Sequence, residues 1–98
     1  MAKFFLTNKA VEDLSDIWLY TLENWSEKQA DIYYQLLIAS FEEISFNPNI
    51  GKNYFDILDC LQGLKVGMHI VFYRQVKKNI EIIRILHEQM DLKNRIKD

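Results

Sequence analysis

The chain has 98 residues, 49% hydrophobic and 27% charged, which suits one soluble globular domain able to bury a core without disulfide staples. No apolar run nears the roughly 18 residues of a membrane span, and the N-terminal MAKFFLTNKA lacks the apolar stretch of roughly 7 to 15 residues that a signal peptide needs. The net charge of −2 hides an asymmetry, because residues 1–49 hold three lysines against eight acids, a net of −5, while residues 50–98 hold nine bases against six acids, a net of +3.

A single domain over residues 1–98, cytoplasmic and off the membrane, is therefore expected. The charge asymmetry can steer an acidic partner to the C-terminal half, but it is too small for a general nucleic-acid binder. Residues 3–6 form a short apolar run ending at Thr7, a good helix N-cap, so a strand feeds directly into a helix. Ala10, Leu14, Ile17, Trp18, Leu22 and Trp25 recur mostly at steps of three and four and make the stripe of an amphipathic helix. Glu12, Asp13, Asp16 and Glu23 lie opposite and read as its solvated face. Ser26 to Gln29 then matches a capping box that opens a second helix, with Trp25 and Ala30 placed for a hydrophobic staple. In that helix Ala30, Tyr33, Tyr34, Leu37, Ile38, Phe41 and Ile44 form one broad face. It must stop near Asn47, because Pro48 disfavours a helical residue before it.

Two helices joined by a tight break form an antiparallel hairpin. Residues 47–53 hold the only proline and one of three glycines, which marks the passage from the helical part to the sheet part. In residues 54–61, Phe55, Leu58 and Leu61 suit a short helical turn. Residues 63–68 read as a strand, with Gly67 as a bulge or turn. The stretch HIVFYRQVKKNIEIIRILH from residue 69 is dense in β-branched and aromatic residues and reads as two strands around a short polar turn. The fold class is thus α+β: an N-terminal strand, an antiparallel helix hairpin, then a three-stranded antiparallel run forming a sheet packed on the helices.

The last two strands carry a conflict. Ile70, Phe72, Arg74 and Val76 share one face of the first, with His69, Val71, Tyr73 and Gln75 on the other. In the second, Ile80, Ile82, Arg84 and Leu86 oppose Glu81, Ile83, Ile85 and His87. Both faces are apolar, whereas a sheet with one wet face alternates cleanly. The hairpin covers one side only. The tail beyond Glu88 has sparse apolar positions at Met90, Leu92 and Ile96 and is shorter than the roughly 12 to 15 residues an isolated helix needs. A partner chain is expected to cover part of this surface, in a groove or at the sheet edge.

The order of elements resembles the RelE/ParE toxins over nearly the whole chain. The ParE branch in particular is similar at LT (Leu6, Thr7), AVEDLSDIW (from Ala10), YT (Tyr20, Thr21), WSEKQADIY (from Trp25), NPNIG (from Asn47), GLK (from Gly63), IVFYR (from Ile70) and RILHEQMD (from Arg84). The resemblance implies the toxin component of a type II toxin-antitoxin system, neutralised by a cognate antitoxin whose extended and helical segment covers the sheet. It also implies DNA gyrase as the target, poisoned by binding. The alternative within the superfamily is a RelE-type endonuclease that cuts messenger RNA on the ribosome. A third reading is a degenerate member that binds its antitoxin and poisons nothing.

Cleaving RNA through its own 2′-hydroxyl needs a base, an acid and fixed positive charge at the phosphate. Arg74 or Arg84, His87, and Glu88 or Glu81 are the available parts. Against that reading, residues 52–68 carry only Lys52 and Lys65 beside Asp56 and Asp59, a poor surface for an RNA backbone. No catalytic residue is therefore assigned in the binding reading. Arg74 and Arg84 sit among apolar strand neighbours and should be paired or half exposed, serving as structural ion pairs or contacts to an acidic antitoxin or target. His87 either ends a strand or transfers protons, and it joins Arg74 and Arg84 as a partner-binding candidate. The polar, accessible tail adds Met90, Asp91, Lys93 and Arg95 as partner-binding candidates. The lone Cys60 and the two histidines match no zinc spacing, so neither a metal nor a cofactor is expected.

Overall fold

The computed structural model describes residues 3–97. Its elements are β1 (Phe4–Leu6), α1 (Asn8–Asn24), α2 (Glu27–Phe46), β2 (Lys52–Asn53), β3 (Gln62–Val66), β4 (His69–Val76), β5 (Asn79–His87) and α3 (Leu92–Lys97). The anticipated antiparallel run is β3 to β5, but the sheet is wider and mixed. In the order β1-β5-β4-β3-β2, β1 lies parallel to β5 at one edge and the two-residue β2 closes part of the other.

Thr7 joins strand to helix as expected. Its Oγ1 accepts from the Ala10 amide at 3.1 Å to cap α1, and the same hydroxyl donates to the Ile83 carbonyl at 2.8 Å, tying the cap to β5. Ser26 caps α2 by accepting from the Gln29 amide at 3.1 Å. The staple is different, because Trp25 takes the C-cap of α1 and remains 76% exposed. The stripe buries Ala10 and Leu14 against the sheet, while the Trp18 indole donates to Asp31 at 3.2 Å and links the two helices.

Two cores flank the sheet. On the helix side, Leu37, Phe41 and Ile44 of α2 pack with Val71 and Tyr73 of β4 and Ile80, Ile82 and Ile85 of β5. On the far side, Leu61, Ile70, Phe72 and Leu86 are covered by Tyr54, Ile57, Ile83, Leu92 and Ile96. This overturns the expectation of a bare second face awaiting a partner. Residues 54–61 fold over it as successive turns, and α3, too short to stand alone, is held by its two apolar anchors.

A bulge explains why the face assignment in β5 also fails. Phe72 pairs with Arg84 and Tyr73 with Ile82, so Ile83 has no opposite residue. One extra residue reverses the alternation beyond it: Ile80, Ile82 and Ile85 face the helices, whereas Ile83 and Leu86 face away. Exposed apolar surface lies instead on the hairpin, where Val11, Leu19, Tyr20, Ile32 and Leu36 are about half exposed or more. No helix among the described residues is long and apolar enough to cross a membrane.

Candidate functional site

Of the residues singled out from the sequence, Arg74 stands apart, whereas Arg84, His87, Met90 and Arg95 line one hollow of about 220 Å³. Arg74, opposite Glu81 on the neighbouring strand, donates from Nε to that carboxylate at 2.7 Å and keeps its side chain 43% exposed. Arg84 is enclosed, with only 13% of its side chain accessible. Its Nε and Nη2 grip both oxygens of Asp13 at 2.7 and 3.0 Å, and its Nη1 donates to the Arg95 carbonyl at 2.9 Å. Asp13 also accepts from the Ile85 amide at 3.0 Å.

Asp13 is therefore not solvated helix surface, as its position on the polar face suggested. It enters a two-pronged clasp that locks α1, β5 and α3 together, a geometry that the planar guanidinium favours. Of the two roles open to Arg84, the structure shows the ion pair. Sequence periodicity could not reveal Asp13, because its partner lies 71 positions away.

His87 closes β5 directly opposite His69, with ring centroids 5.4 Å apart. Its Nδ1 accepts from the Gln89 amide at 3.1 Å, so the neutral ring carries its proton on Nε2. His69 contacts the Tyr33 hydroxyl through Nδ1 at 2.6 Å. That hydroxyl also contacts the Val66 carbonyl and accepts from the Met68 amide, each at 3.1 Å. Burial, followed by the neighbouring His87, lowers the His69 pKa to about 4, while burial raises that of the Tyr33 phenol. The hydrogen bond from Lys65 holds the Glu88 carboxyl below its usual range.

The tail is ordered by its own side chains. Asp91 caps α3, accepting from the Asn94 amide at 3.4 Å and the Asn94 side chain at 2.6 Å. Met90 is 42% exposed, and Lys93 and Arg95 project into solvent.

Of the three parts of the nuclease alternative, Arg84 and His87 share a hollow and Arg74 lies outside it. Arg74 pairs near the β4–β5 turn, His87 ends the opposite side of that ladder, and Arg84 is engaged by Asp13. What the surface does present is an edge. β2 pairs only with Gln62 and Gly63, so among the described residues no strand flanks the outer side of Leu64 to Val66. A groove of about 300 Å³ runs beside that edge, with Leu36, Ala39 and Glu43 of α2 as its far wall.

The profile of the family described as "ParE toxin of type II toxin-antitoxin system, parDE" matches residues 4–92. The chain belongs to the ParE toxin family. It is 36% identical over 91 residues to Toxin ParE1 of Caulobacter vibrioides, covering 93% of this chain and 94% of that one. Toxin ParE1 of Mycobacterium tuberculosis is 30% identical over 92 residues with the same coverage, and Toxin ParE of Escherichia coli is 27% identical over 99 residues, covering 100% of this chain and 96% of the relative. A solved structure titled "Chromosomal ParDE TA system from P. aeruginosa" superposes with a TM-score of 0.77 at 20% identity, covering 89% of this chain and 96% of that one, and shows the shared ParE fold. The mixed sheet and the helix hairpin of this ParE toxin are accordingly those of its family.

Proposed function

We propose that this ParE toxin poisons DNA gyrase in the cytoplasm by binding it, and that a cognate antitoxin holds it inactive. The observation that carries the binding reading is the engagement of its arginines. A nuclease needs free positive charge beside its acid and base, whereas Arg84 is enclosed on Asp13 and Arg74 leans on Glu81, away from His87.

The antitoxin's seat in this reading is the open β3 edge and the groove beside it. An extended segment there can continue the sheet while its apolar side chains enter between Leu64 and Leu36. The relative titled as a ParDE system supports a partner of this kind. The far face of the sheet offers no such seat, since the chain itself closes it.

Purified toxin added to gyrase and relaxed plasmid should block supercoiling and accumulate cleaved DNA, and His87→Ala should retain the effect. Messenger RNA cut on ribosomes by the wild type but not by His87→Ala would decide for the nuclease. Absence of growth arrest on expression without antitoxin would mark a member that poisons nothing. Leu36→Glu, at an exposed groove wall, should weaken antitoxin binding about tenfold or more; unchanged binding would move the seat elsewhere.

A further inference from the structure

The −5 balance of residues 1–49 finds no use in the proposal above, and one of its acids, Asp16, lines an aromatic trough beside the β3–β4 turn. The last turns of α1, Trp25 at its C-cap, Tyr33 of α2 and the β3–β4 turn enclose about 380 Å³ above the two histidines. This space adjoins a second hollow of about 540 Å³, walled by Tyr20 and Asp16. Tyr20 is 65% and Trp25 76% exposed, so two large ring faces stand open to solvent without packing work to do in the fold.

The electrostatics of the trough have one sign. The C-terminal end of α1 carries the negative pole of its backbone dipole, and no basic residue in its last turn offsets it. Asp16 lines the wall, and Glu23 lies exposed on the same helix. Of the nearby cations, Arg84 is bound to Asp13, and Arg95 sits in the adjoining notch with Glu12. His69 in its floor does not oppose a cation, because burial keeps that ring uncharged at neutral pH. Open aromatic faces in a negative field are the chemistry that receives a guanidinium, which stacks on indole and phenol rings and sheds water more readily than an ammonium.

We propose that this trough is a receptor for an arginine side chain on a basic segment of a partner protein, stacked against Tyr20 and Trp25 with Asp16 balancing its charge. The trough meets the β3-edge groove at the β3–β4 turn, where Met68 lines the one and Gly67 the other, and its occupancy does not depend on whether gyrase or the ribosome is the target. An anionic partner is disfavoured by the same field that attracts the guanidinium.

The test uses the full chain labelled with ¹⁵N and three capped pentapeptides: Ala-Arg-Ala-Arg-Ala, its lysine counterpart, and its citrulline counterpart, which keeps the shape and loses the charge. The arginine peptide should shift the Trp25 indole resonance saturably and leave that of Trp18, which is committed to Asp31, nearly still. Citrulline should bind about fivefold more weakly or worse. Trp25→Ala and Asp16→Asn should each lower affinity at an unchanged melting temperature, since both positions are exposed. Equal binding of citrulline, shifts that leave Trp25 untouched, or a Trp25→Ala variant that binds like the wild type would overturn the proposal. Lysine binding as tight as arginine would overturn its guanidinium specificity.

Discussion

At the scale of single residues, the Asp13–Arg84 clasp decides most. Both side chains are 13% accessible and carry further bonds to the Ile85 amide and the Arg95 carbonyl, so removing one partner strands an enclosed charge. Asp13→Ala should cost about 3–5 kcal/mol in urea unfolding, and pairing it with Arg84→Met should recover a large part; a double variant no better than the single one would show that the cost is not electrostatic. His69 gives the pH response. Its pKa falls from an ordinary 6.5 to about 4 on folding, so the unfolded chain binds more protons between those values. Stability from this group is full above pH 6.5 and is lost as pH drops toward 4. The wild type should therefore lose more stability between pH 7 and 5 than His69→Gln does, with the urea midpoint as the readout. Neither residue was legible from periodicity. Asp13 looked like helix surface and His69 like a strand neighbour, because the groups that define them come from other elements.

At the scale of elements, local chemistry was a good guide wherever the signal was itself local. Thr7, Ser26 and Pro48 set the helix boundaries through bonds or sterics within a few residues, and the structure places N-caps at Thr7 and Ser26 and the C-cap of α2 at Asn47, just before Pro48. Of the bulge or turn that Gly67 suggests, the structure shows the turn, at φ +58° with the Tyr33 ring packed where a Cβ would stand. Gly67→Ala should thus cost about 1–2 kcal/mol from backbone handedness alone, and more from displacing Tyr33; a melting temperature equal to the wild type would contradict this. The bulge at Ile83 was hidden, since an extra residue is visible only when the opposing strand is known. So was the closure of the far face, for which α3 supplies Leu92 and Ile96. Replacing both by Ala should cost about 1–2 kcal/mol each, below the full-core range because they are only partly buried, and should increase binding of a hydrophobic dye as Phe72 and Leu86 become exposed.

At the scale of the whole molecule, strand content and the hairpin followed from composition and spacing, while the site did not. Arg74, Arg84 and His87 are close in sequence, yet pairing and burial send them to different tasks. The bond between Thr7 and Ile83 spans 76 positions, and among the described residues β1 has β5 as its sole strand neighbour. A chain starting at Asn8 should lose cooperative thermal unfolding, because it removes both the edge strand and the cap of α1; a sharp calorimetric transition would refute that. The same closure has a consequence in the cell. β1 can pair only once β5 has been made, so a chain released before residue 79 leaves an apolar strand with open backbone groups, which invites proteolysis or stray pairing.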